Sequence, residues 1–390
     1  MIGIFTSHRL RIMECLIGHG PMTRGELSAR IGLSPASLSE WISELSAEGL
    51  VLSTKQARNG PGRPRDVLSV HAKAGHVVGI KLSMHEATLA LTDFSGKCLG
   101  SMKVQHIAGA QKSDISARHI AAKIRNFIRH HGLSPADIAG IGLGLPGFIE
   151  SPSGKCLWSP VFSSKPNKFI RILAEEAQIP VLVDNDVNLV CLAERWFGRG
   201  RDVDPFMVIS LEHGLGMGLW LNGGLYRGPR GIAAELAHII AEPGGALCRC
   251  GRHGCLEAYV SDQALASRAA IMLGKPVPQH GGEVHRMMAD VTAQAMAGNG
   301  DFRKLIAEAG ERLGLAVANA ANLLAPKRVI VTGEAMRAED LIMRPFSDAF
   351  MQGLIEPLRD EIKLSWHPVE DEIWAQGAAA RVLSERFAGH

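Results

Sequence analysis

Three of the seven cysteines crowd into one short segment, Cys248-x-Cys250-x4-Cys255, and His238 lies just upstream of them. This segment constrains the fold more than any other feature, because four N and S ligands at such spacing can close a short loop around one metal ion. The set leaves no coordination position for water. The pattern therefore predicts a structural zinc site with His238, Cys248, Cys250 and Cys255 as ligands. The alternative is three free cysteines that cluster by chance.

The remaining cysteines, Cys15, Cys98, Cys156 and Cys191, are scattered along the chain. An odd total in a chain of 390 residues argues against a disulfide framework, and we expect these four to pack as small hydrophobic side chains. The N-terminus is a poor signal peptide, and no apolar run approaches the ~20 residues that a membrane span needs. We therefore expect a soluble, cytoplasmic protein of two to three domains with no membrane partner.

The first seventy residues predict three helices followed by a wing. The first helix covers residues 7–18, and the second covers 24–31, with a capping box formed by Thr23 and Glu26. The third begins at Ser34-Pro35 and ends near Glu48. Strands at 51–52 and 67–70 would enclose the wing. This order is typical of a winged helix-turn-helix, which we expect over residues 1–71.

Polar and basic side chains of this segment are the candidate DNA contacts. Small side chains at the start of the third helix allow it to enter the major groove, and a thin basic wing suits phosphates or a minor groove. The candidates are Ser34, Ser37, Ser39, Lys55, Arg58, Arg63 and Arg65. We predict that they bind a double-stranded operator with an inverted repeat. The alternatives are a solvated basic loop and a small helical dimerisation domain.

Strand-like and helical segments alternate over the rest of the chain in two similar modules. Each module begins with a meander, over 77–104 and over 206–221, and continues with helices and a further strand. Such a repeat predicts an α/β fold with two lobes around a cleft, where ligands bind near strand ends. We expect the first lobe to comprise residues 72–187 and 373–390. The second would comprise 188–372, with the zinc site and oligomerisation helices.

Four motifs give this part of the chain a family resemblance. They are GLGLPG at 142–147, DNDVN at 184–188, AAELAHI at 233–239 and CRCGRHGCLE at 248–257. With them, residues 75–390 resemble the ROK family of repressors, open reading frames and sugar kinases. The resemblance implies an actin- and hexokinase-like (ribonuclease H-like) fold, a sugar or sugar phosphate as ligand, zinc at the four predicted ligands, and a homodimer or homotetramer. The repressor branch of the family also has an N-terminal winged helix-turn-helix.

Polar residues at a strand end and around the zinc loop are the candidate sugar contacts. Asn185 and Asp186 follow a predicted strand, Glu235 and His238 are three residues apart on a predicted helix, and Glu257 follows the zinc loop. The resemblance matches these five residues to the family's sugar contacts, with His238 binding zinc through one ring nitrogen and sugar through the other. Gly147 would permit a close approach of the backbone. Taken singly, Asp186 or Glu235 could be a helix cap and Glu257 a surface acid.

The resemblance also indicates that the phosphate-binding motifs of the kinases are degraded. Lys81 replaces the acid of the first loop, at 79–85, and that loop's glycines are missing. The later loops, at 212–216 and 332–334, lack further residues of the pattern. A triphosphate would have no binding loop, and Asp186 would be a vestigial general base.

We therefore expect a sugar-responsive repressor of carbohydrate uptake or catabolism genes that is not an enzyme. An active ATP-dependent kinase for a hexose or N-acetylhexosamine is the alternative, and a protein partner as the signal is a third reading.

Overall fold

The computed structural model describes residues 7–56, 65–83, 86–105, 113–150, 153–162, 166–211, 214–279, 281–333, 339–367 and 371–388. The chain divides into two compact units, one of Met1–Asp202 with Glu370–His390 and one of Val203–Val369. The boundary between the units falls later than the lobe boundary predicted at residue 187. The helix over residues 186–196 packs against the C-terminal helix of the first unit and belongs with it. The extent of each functional domain stays a prediction. Among the described helices, none combines the length and the apolar character needed to cross a bilayer.

The N-terminal part of the first unit is a three-helix, three-stranded module. Its elements are α1 (His8–His19), β1 (Met22–Thr23), α2 (Arg24–Ile31), α3 (Pro35–Ala47), β2 (Val51–Gln56) and β3 (Arg65–Val70). The sheet order is β1-β3-β2, with antiparallel pairs throughout. The Thr23–Glu26 capping box and the Ser34 cap are both present, as predicted. Fully buried Ile12, Leu27 and Leu38 join the three helices into one core.

The rest of the first unit is an α/β lobe around one five-stranded sheet. Its elements are β4 (His76–Leu82), β5 (Glu86–Asp93), β6 (Cys98–Gln105), α4 (Ser113–His130), β7 (Ile138–Leu145), β8 (Phe148–Glu150), β9 (Lys155–Trp158), α5 (Pro166–Ala177), β10 (Val181–Asn185), α6 (Asp186–Trp196) and, at the C-terminal end, α13 (Asp371–Ala388). The sheet order is β10-β7-β4-β5-β6, and β8 pairs with β9 in a separate hairpin.

Two glycines on the central strands let α13 lie directly on this sheet. A Cβ at Gly142 would lie 2.3 Å from the Ala378 carbonyl oxygen, and one at Gly79 would lie 3.0 Å from Ala378 Cβ. Bulkier side chains at these positions would push the helix away from the sheet. The motif at 142–147 therefore has a packing role as well as a predicted ligand role.

The second unit repeats the strand order of the first lobe. Its elements are β11 (Phe206–Leu211), β12 (Leu215–Leu221), β13 (Gly224–Leu225), α7 (Glu257–Val260), α8 (Asp262–Met272), α9 (Gly281–Met296), α10 (Gly300–Leu324), β14 (Arg328–Thr332), α11 (Glu339–Gly353), α12 (Glu356–Arg359) and β15 (Lys363–Trp366). The order β13-β12-β11-β14-β15 places the first strand of the unit in the centre, as in the first lobe. The predicted pair of α/β modules is thus confirmed. No sequence pattern predicted β15 or the β8–β9 hairpin.

Candidate functional site

The predicted metal ligands lie together in the second unit. One donor atom from each of His238, Cys248, Cys250 and Cys255 lies within 4.8 Å of the others. The Cys250 and Cys255 sulfurs are 3.7 Å apart, and Cys248 Sγ is 3.8 Å from His238 Nδ1. A tetrahedral zinc ion with Zn–S bonds of about 2.3 Å would separate two sulfurs by about 3.8 Å. The spacing of the four donors therefore fits one tetrahedral metal ion.

Burial changes the protonation behaviour of two side chains in the cluster. Burial raises the pKa of the Cys248 thiol to about 12, so a bound cation would be needed to hold it as a thiolate at neutral pH. Burial also lowers the pKa of His238, which favours the neutral imidazole that ligates metals. Nδ1 is the ring nitrogen of His238 that faces Cys248 Sγ.

Glu257 lies directly beside the cluster at the start of α7, as the sequence predicted. Its side chain is only 10% exposed, and Arg249 Nη2 donates to its Oε1 over 2.8 Å. Its other carboxylate oxygen lies 3.5 Å from Cys248 Sγ. Burial and this ion pair set Glu257 apart from a surface acid.

Glu235 and His238 are positioned differently from the prediction. Residues Leu236–His238 form a single 3-10 turn, and Glu235 is its N-cap without a side-chain capping bond. Ala234 precedes it with φ +66°, a conformation that ends any longer helix at this point. The predicted helix was therefore wrong in type, and the side chain of Glu235 is exposed.

In the first unit, the DNDVN motif joins β10 to α6. Asp184 is buried, and its Oδ1 accepts hydrogen bonds of 2.8 Å from the Asn185 amide and from Asn188 Nδ2. Asn185 caps α6 through its side-chain oxygen, and its Nδ2 donates to the Gly147 carbonyl over 2.9 Å. Asp186 is the first residue of α6. The motif thus fixes Gly147, Asn185 and Asp186 in one region at the end of the sheet.

The predicted DNA-contacting residues are only partly described. Ser34 caps α3 by accepting from the Ser37 amide, and the Ser39 hydroxyl donates to the Pro35 carbonyl, so two of the three serine side chains support the helix itself. Lys55 and Arg65 are exposed on the two strands of the wing. Arg58 and Arg63 lie outside the described residues.

Two contacts that the sequence did not predict join α1 to the first lobe. The first is at Glu14, whose side chain is 10% exposed. Trp196 Nε1, at the end of α6, donates to Glu14 Oε1 over 3.1 Å, and an Arg195 nitrogen lies 3.9 Å from the other oxygen. Burial raises the pKa of Glu14 to about 7, against smaller opposing effects of Arg195 and Trp196.

The second contact is at Arg9, which is 6% exposed. Its guanidinium donates to both oxygens of Glu48 over 2.6 and 2.7 Å and also binds Glu44, so it holds the end of α3. Its Nε donates to the carbonyl of Phe387 on α13 over 3.2 Å. Arg9 therefore ties the third helix of the N-terminal module to the C-terminal helix of the chain. Long sequence separation hides such pairs from any local pattern.

The fold and the cluster of one histidine and three cysteines define a class: a MarR-type winged helix followed by a two-lobed, actin- and hexokinase-like domain. The family model of the ROK family matches residues 77–385, and that of the MarR family matches residues 5–60. The chain belongs to the ROK family.

Relatives that match most of this chain are named as transcription regulators. The xylose repressor of Caldicellulosiruptor bescii is 27% identical over 98% of this chain and 96% of its own length. The N-acetylglucosamine repressor of Escherichia coli is 27% identical over 83% of this chain and 80% of its own length. The crystal structure of a ROK family transcriptional regulator, a homologue of the E. coli MLC protein, has a TM-score of 0.78 at 26% identity and covers 97% of this chain and 96% of that one.

Proposed function

We propose that this chain is a sugar-responsive transcriptional repressor. Its winged helix would bind an operator through α3 and the wing, and its ROK domain would bind a sugar or sugar phosphate. The proposed sugar contacts are Gly147, Asn185, Asp186, Glu235, His238 and Glu257. The similarity to two sugar-named repressors over most of their length supports this proposal.

The observation that carries the proposal is the path of α6. This helix begins at Asp186, a proposed sugar contact, and ends at Trp196, which binds Glu14 of α1. A ligand that repositions the start of α6 would therefore act on a helix that supports the DNA-binding module. To switch the protein, the sugar must bind one arrangement more tightly than the other by a few kcal/mol.

We further propose that the metal is zinc, held by His238, Cys248, Cys250 and Cys255. The donor set and its spacing match a closed structural site. When bound, zinc would supply a fixed tautomer and orientation for the His238 ring. The second ring nitrogen of His238 would then meet a sugar hydroxyl in a defined geometry, while the carboxylate of Glu257 would accept from another.

We also propose that the chain does not transfer phosphate. Lys81 presents an ammonium group 4.1 Å from the centre of the Trp374 ring, where the kinases have a carboxylate by resemblance. A cation there cannot bind the Mg²⁺ that accompanies a triphosphate. Measurement of ADP release with a panel of sugars tests this point: turnover that disappears in Asp186→Asn would overturn it in favour of a kinase.

The first test of the repressor is selection of bound DNA. Purified protein is incubated with sheared genomic DNA of its source organism, and the retained fragments are sequenced. We expect enrichment of one inverted repeat beside sugar transport or catabolism genes, and release of that fragment by a sugar related to those genes. Absence of enrichment, with and without sugars, would overturn the DNA-binding function.

A further inference from the structure

Trp158, at the end of β9, differs from the other tryptophans of the chain. It is 40% exposed, whereas the other five are buried or half-buried. Its ring lies 5.5 Å from that of Phe148, centre to centre, at an angle of 39°. The two rings form an aromatic pair on the β8–β9 hairpin.

A β-bulge creates this pair. Ile149 is opposite Cys156, so an uninterrupted ladder would place Leu157 opposite Phe148, yet Phe148 is opposite Trp158. Ile149 and Cys156 are buried and face the core of the lobe. The extra residue therefore turns Trp158 to the side of Phe148, away from the core. Bulges that redirect a side chain are over-represented beside functional sites.

The hairpin also borders proposed sugar contacts of the first unit. Gly147 immediately precedes Phe148, and its carbonyl accepts from Asn185 Nδ2. Gly147 has φ +117°, and a Cβ there would lie 2.3 Å from the Trp158 carbonyl oxygen. Asn185 therefore contacts Gly147, and Gly147 in turn lies against the backbone of Trp158.

We infer that Trp158, supported by Phe148, is the surface on which the ring of the bound sugar stacks. This inference rests on the proposed function. The proposed contacts at Asn185, Asp186, Glu235, His238 and Glu257 are polar and suit hydroxyl groups, whereas ligand sites also need apolar and aromatic walls. A pyranose whose hydroxyls are equatorial has axial C–H groups on the faces of its ring. These C–H groups form an apolar surface that can stack on an aromatic side chain. The aromatic pair therefore selects cyclic sugars with an uncovered C–H face, such as xylose and N-acetylglucosamine.

The test measures sugar affinity by calorimetry with the full-length, zinc-loaded protein. The probes are D-xylose, D-glucose, N-acetyl-D-glucosamine and the 6-phosphates of the two hexoses. For the sugars that bind the wild type, Trp158→Ala should weaken binding by about tenfold, as expected when an aromatic contact is lost, and Trp158→Phe by no more than about threefold. Leu157→Ala is the matched control, because Leu157 is 39% exposed and adjacent to Trp158 in the hairpin. The sugar affinity of this variant should equal that of the wild type.

Tryptophan fluorescence gives a second readout. Sugar should change the emission of the wild type, and this change should be reduced in Trp158→Phe, which retains the other five tryptophans. Wild-type affinity in Trp158→Ala, or an equal loss in Leu157→Ala, would overturn the stacking surface and leave the sugar response in place. If the wild type bound none of these pyranoses, the proposed sugar response would itself be overturned.

Discussion

At the residue scale, Glu14 is an acid held where its charge is unfavourable. Burial raises its pKa to about 7 from an ordinary value of 4.5. Between these two pH values the folded chain binds more protons than the unfolded chain, so this group makes stability fall as the pH rises. Its contribution is most favourable below pH 4.5 and is lost above about pH 7.

We therefore expect Glu14→Gln to stabilise the protein at pH 8. The amide is neutral and retains an acceptor for Trp196, and the gain should reach at most about 3 kcal/mol in the free energy of unfolding. At pH 5 the variant and the wild type should be closer in stability. Urea unfolding at both pH values measures this difference, with Glu40→Gln on the exposed side of α3 as control. If the free energy of unfolding of Glu14→Gln changed with pH in the same way as that of the wild type, the burial of a protonated Glu14 would be contradicted.

Arg65 permits a test of the wing, because it is exposed at the start of β3. Arg65→Ala should weaken operator binding and reduce the slope of log affinity against log salt by about one, as expected for one lost phosphate contact. Fluorescence anisotropy over a salt series with the selected operator measures both effects. Lys73→Ala, an exposed cation beyond the wing, should leave the slope unchanged. Equal slopes in all three proteins would remove Arg65 from the interface.

Short-range chemistry explains which residues could be predicted from the sequence. The three cysteines and His238 were identifiable because donor types and spacing define a metal loop, and their donor atoms do lie together. Trp158 was not identifiable, since only the register of a bulged hairpin reveals its side. Glu14 was not identifiable either, because its partner Trp196 is distant in the sequence.

At the element scale, α1 is the helix that joins the DNA-binding module to the first lobe. Arg9 links it to α3 and α13, and Asp202, after α6, lies 3.1 Å from both His19 and Arg30. The orientation of α3 therefore depends on elements outside the winged helix. This arrangement predicts that mutations in α1 alter DNA binding without any contact to DNA.

Arg9→Met tests that dependence. The substitution retains an apolar side chain of similar length but leaves the Glu44 and Glu48 carboxylates without their cation, which should cost about 2 kcal/mol in stability. Operator affinity should fall severalfold, whereas sugar affinity should stay as in the wild type. Arg171→Met is the control, because Arg171 also pairs with a glutamate but is exposed on α5. Full operator affinity in Arg9→Met would show that α3 keeps its orientation without this contact.

Elements with terminal signals were predicted best. Thr23 and Ser34 mark the starts of α2 and α3, and the caps are formed as expected. Glu235 and His238 were predicted to share a helix, whereas Ala234 in the left-handed region limits the segment to the single turn at Leu236–His238. Very short strands such as β1 and β13 escape prediction because two residues carry no periodicity.

At the scale of the whole molecule, the two lobes share one strand order but hold different candidate sites. The winged helix belongs to the first unit, and the cluster of His238 and three cysteines belongs to the second. The proposed zinc site should therefore affect the response to sugar and leave operator binding intact.

Cys250→Ser separates these properties. The variant should lose its zinc, measured by elemental analysis, because a tetrahedral structural site needs all four ligands. It should bind the operator within about threefold of the wild type but should no longer release it on addition of sugar. Cys98→Ser, outside the cluster, should keep both zinc and the response. Retention of stoichiometric zinc by Cys250→Ser would contradict the ligand assignment.

The contact between Arg9 and Phe387 has a consequence for biosynthesis. The N-terminal module is synthesised before Phe387, whose carbonyl accepts from Arg9 and lies 378 residues further along the chain. A nascent or prematurely terminated chain would thus have a winged helix that lacks the contact between Arg9 and Phe387. We therefore expect a chain that has not yet reached Phe387 to bind the operator more weakly than one that includes it, so that full repression would await synthesis of the proposed sugar contacts in both lobes.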